Sequence, residues 1–525
     1  METGSGDQET GGQTTTVRDV KQLGLFASIA SLSYVFWIVG GMEMVERLAY
    51  YGVKTVAALY ATDSVANGGL GLTMTDFGII LMVWAFTQTF VPVFTGGISD
   101  RVGYKETIFA STVIKIMGYL IMAFFPTFWG FFVGAIVLAF GTGIFKPGVQ
   151  GTLVKATNRR NSTMAWAVFY QTVNIGGFIG PLLAAQMRQM EWQYVFFANA
   201  AIISLNFLLL LVYKEPGKAE REERRREMLA SGHKEEPLWK ESLKHLANPL
   251  IIYYVLLFSG FWFMLNAFFD VLPVYIHDWV DTSVIVNDLF GAGGTRNKFF
   301  IFLFGMDNSG TFINPEGLVN LNAGMIMLVC FIVTGLTARA KALNAMALGT
   351  AIASGALLLL GGFHWAWMIV IAIVTFSVGE MLSSPKTGEY LGNIAPTDKK
   401  AMYLGFSQLP IGLGWTLEGF FGPYMYDIWS SKERFSRGLL EQGDMDADAV
   451  AAIPGGEAFQ TLVDFTGRPA ADLTAQMYAA NDIGLVWYIM GIMGLLSALG
   501  MLAYCKWTYR MVARSEKEAA AQPAE

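Results

Sequence analysis

The stretch EMVERLAYYGVK at residues 43–54 places ionisable side chains inside a segment that is otherwise apolar from Phe36 to Ala61. The segment resembles a membrane-spanning helix, and a charge at membrane depth is costly unless it has a partner or a task. At helical spacing these charged and tyrosine side chains share one broad face, which cannot be turned toward lipid. That face is either a buried ion-pair network that locks helices together or a binding and proton-handling stripe that lines an aqueous cavity.

The composition of the whole chain is that of a polytopic membrane protein. Hydrophobic residues make up 54% of the 525 residues and charged residues only 15%, with a mean hydropathy of +0.43. A soluble domain normally carries about a quarter charged residues. The two cysteines, Cys330 and Cys505, lie in apolar segments far apart in sequence, so we expect no disulfide, metal site or cysteine nucleophile. Residues 1–24 lack the apolar core of a signal peptide and are predicted to form a disordered cytoplasmic tail.

Apolar segments of spanning length predict an all-α membrane protein with about twelve transmembrane helices in two six-helix halves. The first half, residues 25–213, has helices predicted at roughly 27–61, 72–96, 106–126, 128–155, 164–188 and 192–213. The second half, residues 248–509, has helices predicted at roughly 248–277, 319–340, 343–362, 364–392, 401–428 and 482–509. Lysine and arginine collect in alternate loops, which predicts that both termini are cytoplasmic.

Polar segments connect these helices. The charges of 214–247 alternate in sign, which predicts a cytoplasmic linker between the halves, with a regulatory or partner-binding role as the alternative. Two longer outer loops are predicted near 278–318 and 429–481, and a cytoplasmic tail at 510–525. Asp444, Asp446 and Asp448 imitate the opening of a calcium loop, but Ala449 and Gly455 stand where its glycine and glutamate belong, so no metal site is predicted.

The stretch GISDRVGYK at 97–105 lies between the second and third predicted helices. Asp100 and Arg101 can pair there and cap neighbouring helix ends, which would stabilise one alternating-access state without contact to substrate. The stretch resembles the signature of the major facilitator superfamily. The alternative is an ordinary basic cytoplasmic turn.

Two further membrane helices carry polar side chains. In GTGIFKPG at 141–148 the glycines allow close approach and the proline frees backbone carbonyls near Lys146, although a lysine near a helix end can also snorkel. In FYQTVNIG at 169–176, Asn174 can hold two helices together or donate to a substrate carbonyl, and the sequence does not separate these roles.

Together these motifs resemble those of the proton-coupled oligopeptide transporter family, within the major facilitator superfamily. The first-helix stretch is similar to the hallmark Glu-x-x-Glu-Arg-x-x-Tyr-Tyr-Gly, and the motifs of the fourth and fifth helices to the second and third signatures. On the tenth helix, GEMLSSP at 379–385 resembles the segment whose glutamate meets the peptide amino terminus. The matches occur in order in both halves, so the resemblance implies a major facilitator superfamily fold.

The resemblance also implies a substrate site with two poles. Arg47 and Lys146 would bind the peptide carboxylate, since a planar guanidinium suits bidentate hydrogen bonding. Glu380 would bind the α-ammonium group, and Asn174 would contact the peptide backbone. Because the two poles lie on opposite halves, a bound zwitterion could draw the halves together.

Four further residues receive roles by the same resemblance. Tyr50 and Tyr51 would flank the substrate. Glu43 and Glu46 would carry protons, and protonation of one of them would release a neighbouring arginine to bind substrate.

The sequence departs from the family pattern on the seventh helix. Family members usually carry a glutamate there that pairs with a first-helix cation and helps to close the outer gate. Lys54 looks like that cation, but Asn266 occupies the expected acidic position and Asp270 lies one turn later. We expect Asp270 to replace the glutamate and to pair with Lys54; the alternative is that Asp270 merely faces water near the outer mouth.

The tenth and eleventh helices depart as well. Lys386 and Glu389 either pair with each other or alter the pocket, so that the ligand is not an ordinary peptide. Glu418 is a further membrane charge, for which we consider Lys386 as a partner. The pair of extra helices that many bacterial members have between the halves is not expected, because the linker is too polar.

The sequence therefore predicts a secondary active transporter that takes up di- or tripeptides with protons by alternating access, in a bacterial inner (plasma) membrane. The alternatives are a divergent member that carries another zwitterionic or anionic metabolite, and a substrate sensor that does not transport. No enzyme motif accompanies the buried charges, so we expect no catalytic residue and no cofactor. The expected partners are a small peptide, protons and the lipid bilayer, with no nucleic acid, and we expect a monomer.

Overall fold

The computed structural model describes residues 25–157, 161–220, 222–223, 226, 246, 248–337, 340–394 and 405–521, with the backbone alone in some helical stretches. Within these residues the chain is all-helical apart from one isolated antiparallel bridge, between Met306 and Ile313. The all-α prediction is confirmed.

The first half forms eight helices, which occupy the six predicted spans. They are α1 (Leu25–Ala30), α2 (Tyr34–Lys54), α3 (Ala57–Thr62), α4 (Met74–Val102), α5 (Tyr104–Phe124), α6 (Phe128–Ala156), α7 (Ser162–Arg188) and α8 (Trp192–Val212).

The second half forms the other six spans and several short helices between them. The spans contain α9 (Pro249–Asp270), α10 (Leu272–Trp279), α13 (Pro315–Val319), α14 (Leu321–Leu336), α15 (Ala342–Gly362), α16 (Ala366–Ile394), α17 (Gln408–Trp429) and α22 (Leu485–Ala521). The short connecting helices are α11 (Ser283–Phe290), α12 (Lys298–Leu303), α18 (Lys432–Gln442), α19 (Ala447–Ala451), α20 (Ala458–Thr466) and α21 (Ala470–Ala480).

Nine helices in the described part of the chain are long and apolar enough to cross a bilayer. Helix α2 is not among them, because its charged side chains lower its apolar character, and α14, with 16 residues, is shorter than a full span. Helix α17, which is rich in glycine and carries Glu418, is not among the nine either. The spans therefore agree with a twelve-helix protein, although three of them could not be identified by apolar length alone.

The first predicted span is not one helix, which corrects the prediction of a continuous helix over 27–61. Ser33 lies between α1 and α2 and caps the start of α2, because its hydroxyl accepts a hydrogen bond from the Phe36 amide at 3.3 Å. At the other end the helix stops at Lys54, and the Thr55 hydroxyl donates to the Tyr51 carbonyl at 2.9 Å. The break therefore comes directly after the last charged residue of the stretch.

Two other boundaries differ from the predictions. The predicted loop at 97–105 is helical up to Val102, and Gly103 alone connects α4 to α5 with a φ of +130°, a conformation that favours glycine. The predicted seventh span is broken at Val271, where Pro273 near the start of α10 removes a backbone donor.

The halves meet mainly along α4 and α17, with α7 packed against α13 and α14. The segment 429–481 forms a small outer subdomain of α18–α21 with its own apolar core, made of Leu440, Val450, Leu462 and Leu473. Its turn at Gly455–Gly456 packs on the first half: a Cβ added at Gly456 would lie 2.7 Å from the Ser64 amide nitrogen. The subdomain therefore contacts both halves.

Candidate functional site

Five buried or partly buried charged side chains form what we call the first-half cluster: Glu43, Glu46 and Arg47 of α2, Lys115 of α5 and Lys146 of α6. Arg47 Nε lies 3.2 Å from a Glu43 carboxylate oxygen, and the guanidinium also pairs with Glu46. Lys146 interacts electrostatically with both carboxylates. Three cations and two carboxylates leave one formal positive charge in excess, which suits the cluster to an anionic ligand group.

Lys115 was missed by the sequence reasoning. Its Nζ lies 3.5 Å from Glu46 and 3.7 Å from the centre of the Phe145 ring, and its side chain is 1% exposed. It is the one charged residue within the apolar run from Thr107 to Phe124. A charge at membrane depth was the signal that pointed to the first helix, and the same signal applies to Lys115.

The two tyrosines that follow Arg47 pack against its guanidinium. The Arg47 Cζ lies 5.0 Å from the centre of the Tyr50 ring and 5.9 Å from that of Tyr51. Gln88 of α4 donates to the Tyr50 hydroxyl at 3.1 Å, and the Trp84 indole donates to Gln88 at 3.1 Å. Packing and hydrogen bonds thus hold the guanidinium in place.

Glu380 of α16 lies on the opposite half. The Asn322 side-chain amide of α14 donates to its carboxylate at 2.9 Å and contacts the Ser377 hydroxyl at 3.0 Å. Glu380 lines a narrow cavity between the halves. Its lining residues are Tyr170, Ile326, Cys330, Glu380, Met381, Ser384 and Pro385.

First-half side chains reach toward Glu380 across this cavity. Tyr51 of α2 and Tyr170 of α7 both interact electrostatically with its carboxylate. Asn174, one turn after Tyr170, has a buried side-chain amide that interacts with the Tyr170 hydroxyl. Because Tyr170 lines the cavity, this amide lies near enough to donate to a ligand carbonyl there.

A second charged group joins the halves nearer the predicted outer end. Lys54 forms an ion pair with Asp270, which is 1% exposed, and the Trp415 indole donates to the same carboxylate at 3.3 Å. The predicted pairing is therefore present, and the alternative that Asp270 faces water is wrong. Asn266, at the position of the missing glutamate, donates to the Trp262 carbonyl of its own helix at 2.7 Å.

Glu418 does not pair with Lys386, which corrects the partner considered above. Glu418 is fully buried and interacts with Asp270 and Lys54. Lys386 pairs instead with Glu389 at 2.7 Å, as the first of the two alternatives predicted. Residues three apart on one helix lie side by side on its surface, which brings these two side chains together.

Arg188 and Glu316 form a further ion pair between the halves that the sequence reasoning missed. The guanidinium of Arg188, at the end of α7, contacts both carboxylate oxygens of Glu316 in α13, at 2.5 and 3.1 Å, and Asn314 at 3.2 Å. Glu316 is fully buried. The pair was overlooked because both residues lie at predicted span ends, where charges are ordinary.

We expect E316Q to lower the stability of the protein by about 3 kcal/mol, because the change leaves Arg188 partly buried without its counter-charge. Unfolding of purified protein in detergent, followed by temperature or denaturant, measures the effect. E441Q makes the same chemical change at an exposed position and serves as the control. Equal stability of the two variants would contradict a structural role for the pair.

The side chains of Asp100 and Arg101 lie outside the described residues, so the predicted latch stays a prediction. Beside them, the backbone amides of Tyr104 and Lys105 donate to the Glu215 carboxylate at 2.9 and 3.5 Å. The start of α5 is therefore bound to the first residues of the linker. Most of the linker itself, 214–247, lies outside the described residues.

Comparisons with known proteins agree with this architecture. A family model described as Major Facilitator Superfamily matches residues 43–423. The chain is 16% identical to a peptide transporter named POT, solved in complex with sulfate, with a TM-score of 0.61 over 93% of this chain and 96% of that chain. A POT family transporter in complex with 5-aminolevulinic acid gives 15% identity and a TM-score of 0.64 over 92% and 99%. These structural likenesses show the shared fold.

Similar sequences are bacterial transporters. "Uncharacterized transporter YclF" of Bacillus subtilis is 26% identical over 35% of this chain and 38% of its own length. "Peptide transporter YePEPT" of Yersinia enterocolitica is 29% identical over 29% and 31%. "Multidrug resistance protein MdtH" of Edwardsiella ictaluri is 22% identical over 69% and 80%. The matched segments thus span less than two thirds of the first two relatives.

These findings confirm a multi-pass membrane protein that is a transporter and not an enzyme, and the bacterial relatives indicate the inner membrane. Since the family model covers residues 43–423, the chain belongs to the major facilitator superfamily.

Proposed function

We propose that the protein is a secondary active transporter that takes up di- or tripeptides together with protons by alternating access. The observation that carries the proposal is the placement of opposite charges on the two halves. Arg47, in a cluster with excess positive charge, belongs to the first half, and Glu380, beside the cavity, belongs to the second.

This arrangement matches the chemistry of a short peptide. A peptide has one carboxylate, one ammonium group and backbone carbonyls between them, and charge-assisted hydrogen bonds to each end orient it. Arg47 and Lys146 are the groups for the carboxylate, Glu380 for the ammonium, and the buried Asn174 amide for a carbonyl. An apolar drug offers no carboxylate to the excess positive charge of the first-half cluster and no cation to Glu380, which disfavours multidrug transport.

The contacts between the halves support alternating access. The Lys54–Asp270 and Arg188–Glu316 ion pairs, and a hydrogen bond of 2.7 Å from Thr75 to Asp427, all join the halves toward the predicted outer end. We infer that the structure corresponds to an outer-closed conformation, in which these pairs must break before substrate enters from outside.

Uptake into proteoliposomes with an imposed pH gradient tests the proposal, with labelled dipeptide, free amino acid and nitrate offered in parallel. We expect accumulation of dipeptide only when the outside is acidic. Accumulation of another zwitterion or anion instead would favour the divergent-member alternative. Peptide binding without accumulation would identify a sensor.

The cavity offers a direct test of where the peptide binds. Cys330 lines the cavity, whereas Cys505 is buried. A dipeptide at ten times its Kd should slow maleimide labelling of Cys330 about tenfold, because the unoccupied fraction of the protein falls in that proportion. Mass spectrometry of labelled protein measures the rate, with C330S as the control for labelling elsewhere. Labelling that is unaffected by saturating peptide would contradict a site at this cavity.

A further inference from the structure

Glu418 of α17 is a buried carboxyl group that the proposed site leaves without a task. Its side chain is fully buried, and neither carboxylate oxygen meets a hydrogen-bond donor in the described part of the chain. One turn later, Gly422 leaves room for it, since a Cβ there would collide with a Glu418 carboxylate oxygen. Helix α17 therefore leaves space for this carboxyl group but supplies no hydrogen-bond donor to it.

Glu418 shares its surroundings with one cation and one other carboxylate. Asp270 of α9 and Lys54 at the end of α2 are the charged side chains that interact with it. The Trp415 ring packs over the Lys54 ammonium group, with 4.8 Å between the ring centre and Nζ. We call Lys54, Asp270 and Glu418 the outer triad.

Among the side chains that the structure describes, the other helices packed on α17 add no charge to the outer triad. On α4, Asp76 accepts hydrogen bonds from Thr73 at the start of its own helix. On α22, the described charged side chains are Lys506 and Arg510, near the far end of its apolar stretch. The charge of the triad must therefore balance among its own members.

One lysine cannot neutralise two ionised carboxylates away from water. Two adjacent buried carboxyl groups share a proton rather than both ionising, and an uncompensated buried charge is strongly unfavourable. Asp270 already accepts from Lys54 and from Trp415, whereas Glu418 receives no donor. The geometry therefore leaves Glu418 as the member that carries the proton.

We propose that Glu418 is a proton-binding site whose protonation allows the outer ion pair to form. This inference rests on the proposed proton-coupled function. Lys54 belongs to the first half and both carboxyl groups to the second, so outer opening separates them and exposes the carboxyl groups to protons from outside. Closure with one proton bound gives a neutral triad. Release of that proton to the inside leaves a net negative charge, which favours reopening.

The variant E418Q tests this role because the amide imitates a protonated carboxyl group that cannot release its proton. We expect pH-driven dipeptide accumulation to fall at least about tenfold, since that process requires proton release. Exchange of labelled for unlabelled dipeptide at equal pH should stay within about twofold of wild type, because exchange does not require release. E441Q, at an exposed position, should leave both processes unchanged.

Two results would overturn the proposal: accumulation by E418Q equal to that of wild type, or loss of accumulation and exchange together, which would indicate a structural role. Infrared spectroscopy gives a readout independent of transport. Near neutral pH the protonated-carboxyl absorption of wild type and E441Q should exceed that of E418Q by one carboxyl group, and equal absorption in E418Q would also overturn the proposal. Failure of wild type itself to accumulate dipeptide would instead overturn the proton-coupled function.

Discussion

Replacement of Arg47 by alanine is expected to weaken dipeptide binding by at least about tenfold, because a charge-assisted bidentate hydrogen bond contributes roughly 1.5–3 kcal/mol. The change also releases Glu43 and Glu46 from their ion pairs, and two free carboxylates would repel the carboxylate of the peptide. E380A should abolish binding in the same way at the ammonium pole. Calorimetry, or protection of Cys330 from labelling, measures the affinity.

The ligand provides a matched control for Arg47. A dipeptide amide has no terminal carboxylate, so R47A and wild type should bind it with similar affinity, and the difference between ligands isolates the pairwise interaction. R468A changes an exposed arginine and should have no effect, while R47K should retain the charge but lose bidentate geometry. Normal dipeptide affinity in R47A would remove Arg47 from the substrate site.

Replacement of Asp270 by asparagine is expected to abolish proton-driven accumulation while the protein stays folded. Lys54 would lose its counter-ion, but Glu418 lies close enough to take that place by giving up its proton. The gate could then close without a proton from outside, so transport would continue as exchange without accumulation. Parallel accumulation and exchange assays in proteoliposomes measure the separation of the two processes.

The matched control is D464N, because Asp464 is exposed and, in the part of the chain that the structure describes, its side chain accepts a hydrogen bond only from Gln460. A second variant, K54M, leaves two buried carboxyl groups without a cation, and we expect it to be less stable than D270N by about 3 kcal/mol. Unchanged proton-driven uptake in D270N would show that Asp270 does not replace the missing glutamate.

The sequence predicted the spans well because apolar runs of membrane length have few alternative structures. It could not predict where they break, since the breaks depend on single contacts such as the Ser33 cap and on Pro273. The last helix, predicted to end at 509, continues to Ala521 because its polar end is rich in alanine, glutamate and lysine, which favour helix.

The site was predictable where several polar residues share one motif, as in α2, and less so where a single residue contributes. Arg47 with its two glutamates could be placed by helical spacing alone. Lys115 and Glu316 became visible only when helices distant in sequence came together. Glu418 was noticed as a membrane charge, but its neighbours depend on how α17 packs against α9, which local sequence does not encode.

The charges of α2 also have a consequence for how the protein is made. A helix with Glu43, Glu46, Arg47 and Lys54 enters a bilayer poorly by itself, because each such residue near the membrane centre costs about 2.5–3.5 kcal/mol on insertion. Its neutralising partners, Lys115 and Asp270, are synthesised later. We therefore expect the first span to insert together with later helices of the chain rather than by itself.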